Sequence, residues 1–112
     1  MDGSIMADRV WRDVGVIQDI PRLGARVVSA PSGDIAVFRT SDDRVFALHD
    51  SCPHKAGKLS QGIVHGESVT CPLHNWVIGL ADGQAVAPDV GCTRTVPVRL
   101  IGERILLSIA AS

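Results

Sequence analysis

Two short stretches, Cys52-Pro53-His54 and Cys71-Pro72-Leu73-His74, restrict this chain more than any other part of its sequence. Each offers one thiol and one imidazole, and sixteen residues lie between them. Proline fixes its own φ and pushes the residue before it toward extended backbone, so Cys52 and Cys71 are each presented from a stiff corner. Any fold in which the four side chains act together must bring these two corners side by side. The chain has three cysteines, too few for a disulfide scaffold and odd in number. Their chemistry therefore points to metal or redox work rather than bridging.

A zinc finger usually groups two cysteines on one arm and two histidines on the other. Here each arm carries one of each. A binuclear iron-sulfur cluster with cysteine on one iron and histidine on the other needs one ligand of each type from each loop, so that the cluster staples the loops together. A structural zinc site on the same residues is the competing metal reading, and chance placement of ligand-type residues in loops is the bland one.

The surrounding sequence reads as short β segments. Arg26 to Ser29, Ile35 to Arg39 and Arg44 to His49 are rich in β-branched or aromatic residues and are separated by Pro31-Ser32-Gly33-Asp34 and Ser41-Asp42-Asp43, which predicts two hairpins. Ile63-Val64 and Ser68 to Thr70 flank His65-Gly66-Glu67, and Val77-Ile78 and Gln84 to Val86 flank the Asp82-Gly83 turn signal. Val96, Val98 and Leu100, then Ile105, Leu107 and Ile109, alternate about Gly102-Glu103, predicting a closing hairpin with one apolar face. Helical periodicity never persists, so helix content should be minimal. The expected fold is all-β, an antiparallel sandwich or small barrel, from which residues 50 to 61 and 71 to 76 project as two loops.

With 112 residues the chain fits one domain around one core. Residues 1–8 are polar and patternless and read as a flexible N-terminal tail; residues 9–112 read as the domain, with a ligand-bearing lobe at about 49–80. Hydrophobic residues at 46%, charged residues at 21% and a net charge of −1 exclude disorder and the basic excess of a nucleic-acid binder. No apolar run is long enough for a membrane span, and the N-terminus lacks the basic and apolar regions of a signal peptide. The expectation is a cytoplasmic protein with neither nucleic acid nor membrane as partner.

Taken with the flanking residues, the two stretches resemble the Rieske proteins, across about residues 9 to 110. That resemblance implies a Rieske-type β-sandwich with a two-loop lobe, and a 2Fe-2S cluster with Cys52 and Cys71 on the inner iron and His54 and His74 on the outer. Within the family, His54-Lys55-x-Gly57-x-Leu59-Ser60-Gln61-Gly62-Ile63-Val64, Cys71-Pro72-Leu73-His74-Asn75-Trp76 and Gly91-Cys92-x-Arg94-Thr95-x-Pro97-Val98 are most similar to the small subunit of NAD(P)H-dependent assimilatory nitrite reductase. Asn75-Trp76 discriminates best, since ferredoxins of aromatic-ring dioxygenases more often have glycine after the second histidine. The implied partner is a large subunit holding FAD, a 4Fe-4S cluster and siroheme, in which NAD(P)H electrons reduce nitrite to ammonium. High-potential Rieske proteins add an inter-loop disulfide and Ser and Tyr donors to the cluster sulfurs; the corresponding positions here are Gly57, Leu73, Trp76 and Ile78.

Two ferric ions, two sulfides, two thiolates and two neutral imidazoles sum to zero charge, so an electron enters a less negative site than in a four-thiolate cluster. Rieske potentials accordingly span about −150 to +300 mV against about −400 mV for plant-type ferredoxins. Without the extra donors, the low end of that range is expected here. No nucleophile-base pair, phosphate loop or nucleotide fingerprint is present, so a one-electron carrier is expected, with no catalytic residue and no substrate turnover by this chain alone. A free-standing Rieske ferredoxin serving an oxygenase and a zinc-stabilised binding module are the alternatives.

The remaining residues of interest have plainer readings. His49 reads as a strand-end histidine sharing a face with Val45 and Ala47, and His65 as a hairpin-tip residue; neither should bind iron. Cys92 reads as a buried or half-buried free thiol in a loop, and Trp76 as a core anchor at the start of a strand. Lys55 and Lys58 read as solvated loop charges beside His54, with guidance of an acidic partner face as the alternative.

Overall fold

The structure, a computed structural model, describes residues 9–52, 57–73 and 75–110. Its strands are β1 (Arg9–Val16), β2 (Ala25–Ala30), β3 (Gly33–Arg39), β4 (Val45–His49), β5 (Ile63–His65), β6 (Ser68–Thr70), β7 (Val77–Gly79), β8 (Thr95–Val96), β9 (Val98–Ile101) and β10 (Arg104–Ala110). Two single-turn 3-10 helices, Ile17–Asp19 and Leu59–Gln61, are the helical content of the described residues. The strands form three antiparallel sheets, β1-β10-β9, β2-β3-β4-β8 and β5-β6-β7. The fold is all-β, as expected. Among the described residues no helix is long and apolar enough to cross a membrane.

The run Ile35-Ala36-Val37-Phe38 is buried without alternation, which is the pattern of a strand covered on both faces. Ile35 and Val37 of β3, with Val45 and Ala47 of β4, turn toward Ile105, Leu107 and Ile109 of β10 and form one core with Ile17, Ile20 and Val96. Ala36, Phe38 and Leu48 turn the other way, into a second core with Leu59, Val64, Val69, Ile78 and Leu80. The expected single core is thus two, one on each side of the central sheet. Cys52 and Cys71 belong to the second.

One strand expectation is corrected, one is refined and one strand is added. Val96, Val98 and Leu100 do not share one apolar face: Pro97 has no N–H to donate, and the chain changes sheets there, with Val96 paired to Ala47 of β4 and Val98 to Leu107 of β10. Leu100 is exposed. Gln84 to Val86 does return antiparallel to β7 across the Asp82-Gly83 turn, with the Gly79 N–H donating to the Gln84 carbonyl and the Val86 N–H to the Val77 carbonyl at 2.9 Å each, but it makes isolated bridges, Ala85 with Ile78 and Gln84 with Cys92, rather than a regular strand. Finally, β1 falls in a stretch where the sequence pattern picks out no particular strand. It pairs with β10 from Arg9↔Ala110 to Val16↔Arg104, with a bulge between Asp13 and Gly15. Gly15 takes φ +125° there, a conformation that glycine adopts at little cost, and its N–H donates to the Asp13 carboxylate.

The other hairpins follow the turn residues. Ala30↔Gly33 closes β2-β3 around Pro31-Ser32, His65↔Ser68 closes β5-β6 around Gly66-Glu67, and Ile101↔Arg104 closes β9-β10 around Gly102-Glu103. The β5-β6-β7 sheet is tied back to the central sheet by an ion pair between Arg44 and Glu67 at 2.9 Å.

Candidate metal centre

Each cysteine closes its own loop. The Cys52 N–H donates to the Gly57 carbonyl at 2.8 Å, and the Cys71 N–H donates to the Trp76 carbonyl at 2.7 Å. In both cases the acceptor lies five positions on, so each loop is a tight ring anchored at its thiol-bearing residue. His54 falls within the first of these spans and His74 within the second; both lie outside the described residues, as does Lys55.

Cys52 is 3% exposed and Cys71 is fully buried. The two side chains are hydrogen-bond neighbours, so the fold brings together the thiols that the sequence places nineteen positions apart. Gly57 makes this approach possible: a Cβ there would stand 3.2 Å from Cys71 Sγ and 2.9 Å from Leu73 Cδ1. Burial pushes the Cys71 thiol above its ordinary pKa, the Leu73 N–H works against that by donating toward the sulfur, and the neighbouring Cys52 raises it further. Two adjacent buried thiols resist ionisation unless a cation compensates them. Metal-bound thiolates meet that condition, and an N–H aimed at sulfur is the kind of contact that tunes such a ligand. The donor set present therefore fits an iron-sulfur group. Among the described residues, no three His, Cys, Asp or Glu side chains form a cluster able to hold a metal.

The remaining candidates are placed as follows. His65 ends β5, and its Nε2 lies 2.7 Å from Thr70 Oγ1. His49 ends β4 opposite Ile35 on the face of Val45 and Ala47; burial and then the nearby Arg94 charge hold its pKa below the usual histidine value. Trp76 packs against the lobe core immediately before β7, and Lys58 is exposed. Cys92 is exposed rather than buried, because its strand-like bridge to Gln84 sits at a cavity of about 570 Å³ lined also by His49, Asp82 and Arg94.

One contact escaped the sequence reading. Asp50, two positions before Cys52, is 8% exposed, and its carboxylate accepts both the Ser60 N–H and the Ser60 Oγ–H, each at 2.7 Å. Nothing in the local pattern pairs positions ten residues apart in an irregular loop; the nearest signal is a short acidic residue just ahead of a cysteine-proline corner.

Residues 10–97 match the Rieske [2Fe-2S] domain. This chain belongs to the Rieske family. Its cofactor is a Rieske-type 2Fe-2S cluster, and it is an electron-transfer protein. The ferredoxin subunit of anthranilate 1,2-dioxygenase from Burkholderia cepacia is 32% identical over 88% of this chain and 92% of its own length. Among solved structures, a chain proposed as the small subunit of an NADH-dependent nitrite reductase from Mycobacterium tuberculosis superposes with a TM-score of 0.81 at 23% identity, covering 93% of this chain and 98% of that one. The ferredoxin of carbazole 1,9a-dioxygenase from Nocardioides aromaticivorans gives 0.78 at 24%, covering 88% and 96%. At these identities the two superpositions establish the fold.

Proposed function

We propose that this Rieske protein is the small electron-carrying subunit of an NAD(P)H-dependent nitrite reductase, with Cys52, His54, Cys71 and His74 holding its cluster. The observation that carries this reading is the second loop, Cys71-Pro72-Leu73-His74-Asn75-Trp76. Asn75 sits at φ +59°, in the left-handed region that only glycine adopts freely and that asparagine tolerates best among the others. The position thus accepts the glycine usual in oxygenase ferredoxins or the asparagine of the nitrite reductase pattern, so the choice of asparagine marks lineage rather than backbone need.

When bound, the cluster supplies a one-electron relay. The chain's own part is to present two thiolates from stiff corners, to direct the Leu73 N–H at the Cys71 sulfur and to exclude water with Leu59, Val69 and Ile78. Reduction of nitrite is assigned to a large subunit carrying FAD, a 4Fe-4S cluster and siroheme, so this chain serves as an oxidoreductase component rather than as a complete enzyme.

The 32% identity with the dioxygenase ferredoxin favours a second reading, a free ferredoxin that delivers electrons to an oxygenase. Isolation of the chain from its native host under anaerobic conditions separates the two. A large siroheme protein held stoichiometrically, together with loss of growth on nitrite when the gene is deleted, is the expected result. Normal growth on nitrite and co-isolation with an oxygenase would establish the second reading instead.

A further inference from the structure

The first cysteine loop leaves the central sheet at Asp50 and ends in the 3-10 helix Leu59–Gln61. The first N–H groups of such a helix have no partner inside it, and the residue at its start, Lys58, supplies no side-chain cap. Asp50 supplies one from the other end of the loop. Its carboxylate receives the Ser60 N–H and Oγ–H at 2.7 Å each, while its own N–H donates to the Asp34 carbonyl of β3 at 3.0 Å. A buried carboxylate is costly unless its oxygens are bonded; here both oxygens are, by short bonds to a charged acceptor, which are about twice as strong as neutral ones. The two ends of the loop are thereby fixed to each other and to β3, with the Cys52-Gly57 ring between them.

We infer that Asp50 is a positioning residue for the cluster: through Ser60 it clamps the ends of the first ligand loop and so fixes where Cys52 presents its sulfur. This rests on Cys52 being a ligand, as proposed above. The clamp holds more than local structure together, because the ring it encloses carries one half of the proposed ligand set.

The test uses the anaerobically isolated holoprotein with Asp50→Ala, Asp50→Asn and Ser60→Ala, read by the EPR spectrum of the reduced cluster, by the rate of iron loss to a chelator and by hydrogen exchange at the Ser60 amide. Asparagine can still accept the Ser60 N–H through its amide oxygen and meet Ser60 Oγ with its NH2, so Asp50→Asn is expected to keep the wild-type spectrum. Asp50→Ala is expected to shift the g values and to lose iron about tenfold faster or more, the effect of removing a hydrogen bond to a charged group. Ser60→Ala should shift both in the same direction by less, and it decides the matter if Asp50→Ala fails to fold. An unchanged EPR spectrum and iron-loss rate in Ser60→Ala and Asp50→Ala, even with a lowered melting temperature, would overturn the inference by showing a purely structural bond. Cys52→Ser run alongside separates the two levels: a cluster retained in that variant would overturn the ligand reading itself.

Discussion

Leu73 lies against Gly57, so that a methyl group added at Gly57 would stand 2.9 Å from Leu73 Cδ1 and 3.2 Å from Cys71 Sγ. The two loops meet at this contact. Leu73 is 44% exposed and can swing aside, whereas Cys71 is fully buried and cannot. Gly57→Ala is therefore expected to destabilise the protein by about 1 to 3 kcal/mol through overpacking and to lower iron content. Adding Leu73→Ala should recover part of the loss by vacating the space. Melting temperature and iron per chain check this, and equal iron loading in wild type and Gly57→Ala would show that the loops have slack.

Asn75 tests the backbone argument directly. At φ +59°, Asn75→Gly should leave the melting temperature nearly unchanged, while Asn75→Val should cost about 1 to 2 kcal/mol for a β-branched residue forced into the left-handed region. Thermal unfolding of the three proteins measures it. A valine variant as stable as wild type would mean that the loop adopts another conformation.

The ligand set predicts a sharp division among the cysteines. Native protein isolated without oxygen should hold about two irons and two labile sulfides per chain. Cys52→Ser and Cys71→Ser should abolish the brown-red absorption, and Cys92→Ser should preserve it, since Cys92 is exposed beside a cavity that neither Cys52 nor Cys71 lines. Stoichiometric zinc in place of iron would sink the assignment.

His49 makes stability depend on pH. Its pKa is depressed in the fold by burial and by Arg94, so the unfolded chain binds its proton more readily than the folded one. Below the ordinary histidine value of about 6.5 the unfolded state gains, and stability falls as pH drops through that value toward the folded pKa; above it, there is no contribution. Urea midpoints of wild type and His49→Gln should run parallel above about pH 7.5 and diverge toward pH 5.5, with wild type losing more. Parallel curves throughout would mean that the histidine titrates alike in both states.

What the sequence made readable was what short-range chemistry encodes. Pro31-Ser32, Gly66-Glu67 and Gly102-Glu103 mark turns because few residues suit such backbone, and the matched cysteine-histidine offsets follow from the needs of a shared metal group. The burial of Ile35 to Phe38 on both faces, and hence the second core, was written in an unbroken apolar run that also fits a one-sided hairpin. Two features had no local trace. The pairing of β1 depends on a strand at the far end of the sequence, and Asp50 finds Ser60 only once the loop has folded back. Cys92 was misplaced because cysteine is among the residues most often buried, and only the bridge to Gln84 shows that this one faces a cavity.

The seam between β1 and β10 joins residues such as Asp13 and Arg104, 91 positions apart. What surrounds the thiols is nearer in sequence by comparison: each loop closes over five residues, the β5-β6-β7 hairpins follow one another, and the central-sheet members of their core, Ala36, Phe38 and Leu48, come from the hairpin just ahead of the first loop. Local contacts form early in folding, while long-range pairing must first overcome the entropy of closing a large loop. The order of assembly is thus partly set by topology: the cluster-bearing half can take shape while the outermost sheet is still waiting for its last strand, and the central sheet keeps the slow step away from the metal.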